Sequence, residues 1–125
     1  LNLDQVDVNA LDDSKQTPLH TAAGNGNTQV VQALISHGAD VDLPDMKGRT
    51  ALFLACCSGR TACVKELFQH NANISHCAHE GWSPLHGAIA AENVEICEML
   101  IEKGAEVNQQ MSDGWTPLHL ACHWG

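Results

Sequence analysis

The sequence predicts an all-α solenoid, in which helix-turn-helix pairs joined by β-hairpin-like loops stack side by side, and three recurrences carry that prediction. Thr17 Pro18 Leu19 His20 returns as Thr50 Ala51 Leu52 Phe53, as Ser83 Pro84 Leu85 His86 and as Thr116 Pro117 Leu118 His119, each 33 residues after the last. Gly48, Gly81 and Gly114 keep the same step, with Lys15 in the matching place of the first block. Gly38, Asn71 and Gly104 keep it again. Three residue classes holding one period without an insertion mark a stacked repeat array rather than a single globular core.

Each block opens with a helix. Thr17, Thr50, Ser83 and Thr116 carry hydroxyls able to accept from the free amides of a helix start, and proline follows three of them at the first helical position. Gly24, Gly26 and Gly59 fall about two turns later, so the first helices are expected near 18–25, 51–58, 84–91 and 117–124. A second helix follows. Val30, Val31, Leu34 and Ile35, then Cys63, Val64, Leu67 and Phe68, then Ile96, Cys97, Leu100 and Ile101 each draw one apolar face. Gly38, Asn71 and Gly104 suit the left-handed residue that closes such a helix. An extended stretch with a tight turn then leads to the next cap, as in Asp45 Met46 Lys47 Gly48, where aspartate opens the turn and glycine ends it.

The period, the turn plus two helices and the Thr-Pro-Leu-His-x-Ala signature resemble the ankyrin repeat. The resemblance spans the chain: 12–44, 45–77 and 78–110 are full repeats, 111–125 opens a fourth, and 1–11 resembles the end of an earlier one, with Val8 in phase with Val41, Ile74 and Val107. The expected architecture is thus an ankyrin-repeat solenoid of about three full repeats plus partial repeats at both ends, cut from a longer protein. Repeat two departs from the signature at Ala51 and Phe53, and repeat one at Lys15, where a left-handed backbone would cost about 1 kcal/mol. The resemblance assigns His20, His86 and His119 a hydrogen bond near the cap and another to the adjoining loop. Phe53 can make neither, so repeat two is expected to be joined to its neighbour less firmly.

Composition narrows the function. The 125 residues carry 15 acidic against 6 basic side chains, a formal charge of −9 that opposes binding to nucleic-acid phosphates or anionic lipid. Neither a signal peptide nor a membrane-spanning run is visible. Cys56, Cys63, Cys97 and Cys122 fall at core phases, while Cys57 and Cys77 fall at exposed ones, a pattern of reduced thiols that fits the cytoplasm or nucleus. No third residue or oxyanion arrangement accompanies a Cys and His pair, so no catalytic residue and no cofactor is expected. His70, His76, Cys77 and His79 are metal-capable, but their spacing fits none of the paired zinc patterns and no metal site is expected. Glu95, Glu98 and Glu102 line up as a solvated outer face.

The expected function is that of a non-catalytic, monomeric module binding another protein through its concave groove and turn tips. Two alternatives stay open: the substrate-recognition array of a larger enzyme such as a ubiquitin ligase or kinase, and a structural spacer. The resemblance places all three tryptophans at variable, groove-facing phases: Trp82 and Trp115 in register with Gln16 and Arg49, and Trp124 in register with Asn25, Ser58 and Ala91. Trp82, Trp115, Trp124 and Arg49 are the expected contacts, with His79, Glu80, Ser112 and Asp113 as a polar rim. The resemblance also implies asparagine hydroxylation, for which Asn9 and Asn108 have the acidic-Val pair before them and leucine eight residues upstream.

Overall fold

The computed structural model describes residues 7–116 and residue 119, and among these it forms six α-helices and no strand. They are α1 (Pro18–Asn25), α2 (Thr28–Ser36), α3 (Ala51–Cys57), α4 (Thr61–Gln69), α5 (Pro84–Ala90) and α6 (Val94–Glu102). The predicted helix over 117–124, Cys122 and Trp124 lie outside the described residues.

The hydroxyl caps act as the sequence predicts. Thr17, Thr50 and Ser83 hold extended backbone, and each side chain accepts from the amide three residues on, that of His20, Phe53 and His86. A cap of this kind stabilises its helix by about 1 kcal/mol. The closing residues also behave as expected: Gly38, Asn71 and Gly104 have φ of 93°, 61° and 96°.

α1 packs on α2, α3 on α4 and α5 on α6, while α1, α3 and α5 form one row and α2, α4 and α6 a second. Leu19, Leu52 and Leu85 from the first row and Val31, Leu34, Val64, Leu67, Ile96 and Leu100 from the second fill the space between. Each such side chain contributes about 1.5–3 kcal/mol by leaving water. The apolar quartets are not uniformly buried. Cys63 and Ile96 are sealed by the helix before them, whereas Val30, on the first helix of its row, is exposed. Ile101 stands exposed on the last described helix of that row.

The loops stack as well. Asp12, Asp45, Ala78 and Met111 each donate their N–H to the carbonyl of Gln16, Arg49, Trp82 and Trp115. One bond joins each tip to the next: Met46 N donates to Ser14 O at 2.9 Å, His79 N to Lys47 O at 2.9 Å and Ser112 N to Glu80 O at 2.8 Å. Lys15 does occupy the left-handed region, at φ 58°.

Candidate partner-binding site

The loop tips and the first helices bound a groove, and its walls change character along the chain. In the first two loops a carboxylate anchors the turn. Asp12 Oδ1 accepts from Ser14 N and Gln16 N, both at 2.9 Å. Asp45 Oδ1 accepts from Lys47 N and Arg49 N, also at 2.9 Å, while its Oδ2 takes Arg49 Nε at 2.9 Å and Gln16 Nε2 at 3.1 Å. Burial works to raise the Asp45 carboxyl, but these donors outweigh it and hold it below the usual carboxylate range. In the third and fourth loops the same phase is filled by Ala78 and Met111, both buried, and the partner phase by Trp82 and Trp115.

The motif histidine shows a parallel change. His20 Nδ1 accepts from Thr17 N at 2.9 Å, which fixes the proton on Nε2, and Nε2–H donates to Arg49 O of the next loop at 2.9 Å. The expected link between repeats one and two is present. At the next junction Phe53 is buried in its place, and its ring lies where a Cβ on Gly87 would approach Cε2 at 3.4 Å. A different residue supplies a polar link between the loops there: His76 Nε2, in the stretch leading into the third loop, donates to Gly48 O of the second at 3.0 Å. The expected weakening of that junction is thus offset in part by a bond that the motif does not announce. His86 keeps the cap, with Nδ1 at 3.1 Å from Ser83 N, yet its buried Nε2 has no partner in hydrogen-bond geometry, so the link to the following loop is weaker than that of His20. Burial lowers the His86 pKa, against the pull of the Gln109 and Trp115 backbone and the Asp113 charge.

A hollow of about 350 Å³, lined by Ser14, Asp45, Met46, Lys47 and Arg49, lies between the first two loops. Two others lie beside the residues just described, at the equivalent places further along. The larger, of about 600 Å³, is lined by Phe53, Cys57 and Ala90 from the helices and by Lys47, Arg49, Ala78, His79, Glu80 and Trp82 from the loops. The smaller, of about 420 Å³, is lined by Glu80, Trp82, Met111, Ser112 and Asp113. Trp82 and Glu80 belong to both, so Trp82 stands between a side rimmed by Lys47, Arg49 and Glu80 and a side rimmed by Glu80 and Asp113. Trp82 is half-buried and meets the His86 ring edge-on, with centroids 6.2 Å apart. Trp115 is also half-buried and packs tilted against His119 at 6.3 Å.

Of the residues predicted to bind a partner, Arg49, His79, Glu80, Trp82, Ser112 and Asp113 come together around these two hollows, while Trp115 lines neither. The sequence reading missed Phe53, Cys57, Ala78 and Ala90. The loss of histidine at 53 and of aspartate at 78 was the available signal.

The thiols carry no sign of activation. Burial pushes the Cys57 sulfur, packed against Gly87, up to about 11 even though the residue as a whole is exposed, so little thiolate exists at neutral pH. Cys56 and Cys97 are raised by the same cause. Cys77, expected to be exposed, is half-buried because Gln109 Nε2 reaches its sulfur at 2.7 Å. His76 bonds Gly48 O and His70 lies 3.4 Å from Glu66, so these metal-capable side chains have separate partners. Among the described residues no three such groups gather as a metal site would require. Glu95 meets Lys65 at 3.5 Å on the outer face. Asn9 Oδ1 accepts from Asp40 N at 2.9 Å and its amide reaches Gly38 O at 3.5 Å, whereas Asn108 is exposed.

The ankyrin-repeat family model, in three copies, matches residues 1–78 and 67–125. The chain is 62% identical over 34 residues to ankyrin repeat domain-containing protein 49 of Bos taurus, covering 27% of this chain and 14% of that protein. It is 53% identical over 38 residues to the ankyrin repeat protein FPV244 of Fowlpox virus (strain NVSL), covering 30% of this chain and 6% of that protein.

Proposed function

Since this chain belongs to the ankyrin repeat family, whose repeats are generally protein-interaction modules, we propose that it binds a partner protein through the groove between the loops and first helices of repeats two to four. The observation that carries this reading is Trp82, a half-buried indole forming the wall between two hollows where carboxylate and histidine locks have been replaced by Phe53, Ala78 and Met111. Aromatic anchors in partly desolvated pockets contribute most to protein interfaces. A spacer needs no such surface, so the groove favours binding over that alternative. The reading also covers the use of the same groove to present a substrate to a catalytic domain elsewhere in a longer protein. A cytoplasmic or nuclear location is part of it, supported by the five described cysteines standing as free thiols.

Capture of partners from cell lysate by the wild-type chain and by Trp82→Ala, followed by mass spectrometry, tests the proposal. Proteins held by the wild type should be lost from the variant while its melting temperature moves little. Equal recovery on both would remove the groove from the interface. Asn108 is the better hydroxylation candidate, because the Asn9 side chain is engaged with the next repeat. Intact-mass analysis after treatment with an asparaginyl hydroxylase should place a gain of about one oxygen there; an unmodified Asn108 removes it as a target.

A further inference from the structure

We infer that the smaller hollow recognises a basic side chain, a lysine or arginine presented by the partner, held against Trp82 between the carboxylates of Glu80 and Asp113. This deepens the groove reading and rests on it. The hollow joins three features that suit a long cationic side chain and little else. Trp82 offers an indole, whose π face attracts a cation more strongly than that of any other residue. Met111, 7% exposed, gives an apolar floor on which the methylene stem can lie while the charged head stays near the rim. Glu80 and Asp113 are both exposed, and among the described residues neither has an ion pair.

Asp113 Oδ1 accepts Trp115 N–H at 3.0 Å, which fixes the carboxylate and leaves its other oxygen for a ligand. Glu80 is placed by its own backbone, at φ 65°, beside Gly81, where a Cβ would come within 3.0 Å of Met111 Cα. Charge gives the site a direction. Glu80 lines both hollows, but Lys47 and Arg49 line only the one on the other side of Trp82 and Asp113 only this one, so a cation is favoured on the Asp113 side. A partner segment crossing the indole therefore docks in one orientation, with its basic residue toward repeat four.

The test is an array of N-acetylated, C-amidated nonapeptides with systematically varied sequence, probed with the fluorescently labelled chain. Peptides bound in a Trp82-dependent way should share an arginine or lysine at one position. Replacing that residue by citrulline or norleucine, which keep the stem and lose the charge, should weaken binding about tenfold. The Glu80→Gln, Asp113→Asn double variant should lose the same factor. Asparagine keeps the acceptor for Trp115 N–H, and an unchanged melting temperature would confirm that the variant is folded. Equal binding of the citrulline or norleucine peptides, or an undiminished basic preference in the double variant, overturns the inference. Trp82-dependent peptides without a basic preference would sink this inference and leave the groove standing. The absence of any Trp82-dependent peptide would sink both.

Discussion

The first two loops and the last two share one backbone pattern and hold it by different means, although Asp113 still gathers one turn amide, that of Trp115, in the fourth. In the first two, Asp12 and Asp45 gather the turn amides, Gln16 and Arg49 reach the Asp45 carboxylate, and His20 ties helix α1 to the following loop. In the last two, the equivalent places are held by Ala78, Met111, Trp82 and Trp115, and the linking histidine is replaced by Phe53 or, at His86, left without a partner in hydrogen-bond geometry on Nε2. The backbone bonds between successive tips are nevertheless kept at all three junctions. The difference teaches that stacking does not require the polar locks. Where they are absent, Phe53, Ala78 and Met111 put apolar side chains beside Trp82, in the groove proposed to hold a partner.

If the first half is locked by side chains and the second by packing, the largest effect belongs to Asp45. Asp45→Ala leaves Arg49 and several turn amides without their acceptor and should cost about 3 kcal/mol in urea unfolding. A loss under 1 kcal/mol would show that the carboxylate lock is ornamental. His20→Ala removes the acceptor for Thr17 N and the donor to Arg49 O and should cost about 2 kcal/mol, with hydrogen exchange rising at the 45–49 loop. Unchanged protection there would mean that the packing of α1 on α3 alone joins the two repeats.

Acid should reach the two halves in different windows. The folded pKa of His86 is depressed, so its contribution is fully present above the unfolded value of about 6.5 and is lost as pH falls from there through the folded value. Asp45 is likewise depressed, and its contribution is present above about pH 4 and lost below. Stability measured from pH 7 to 3 should therefore decline in two stages, with the upper one reduced in His86→Gln. An identical upper stage in that variant would assign it to other histidines. The smallest effect is a gain. Lys15→Gly relieves a left-handed non-glycine residue and should stabilise by about 0.5–1 kcal/mol, less the added freedom of the unfolded chain. A loss on that substitution would mean that the Lys15 side chain makes a contact worth more than its strain.

The helices were legible because their determinants are local. A hydroxyl cap, followed by proline in two of the three, placed α1, α3 and α5 to within about a residue, while for α2, α4 and α6 the sequence marked an apolar face and, with a residue tolerant of positive φ, the end. The rim of the groove was legible too, since Glu80, Ser112 and Asp113 follow from the phase of the turns. Its floor was harder to foresee. The sequence marks Phe53 as a missing bond and not as a wall, because a single repeat does not show that Gly87 clears space for its ring. The bond from His76 to Gly48 and the unpartnered His86 Nε2 depend on distances between successive loops, which phase alone does not set. The half-burial of Cys77 has the same origin, since Gln109 covers it from the next repeat.

Phe53→His would restore the polar link at the second junction and remove the aromatic floor of the groove in one substitution. Affinity for the partner captured by the wild-type chain, measured by calorimetry beside urea unfolding of both proteins, separates the two roles. Partner affinity should fall about tenfold while stability holds or rises by up to about 1 kcal/mol, as the new imidazole reaches the Trp82 carbonyl. Unchanged affinity in a folded variant would contradict the claim that Phe53, standing where the histidine lock is absent, forms part of the binding surface.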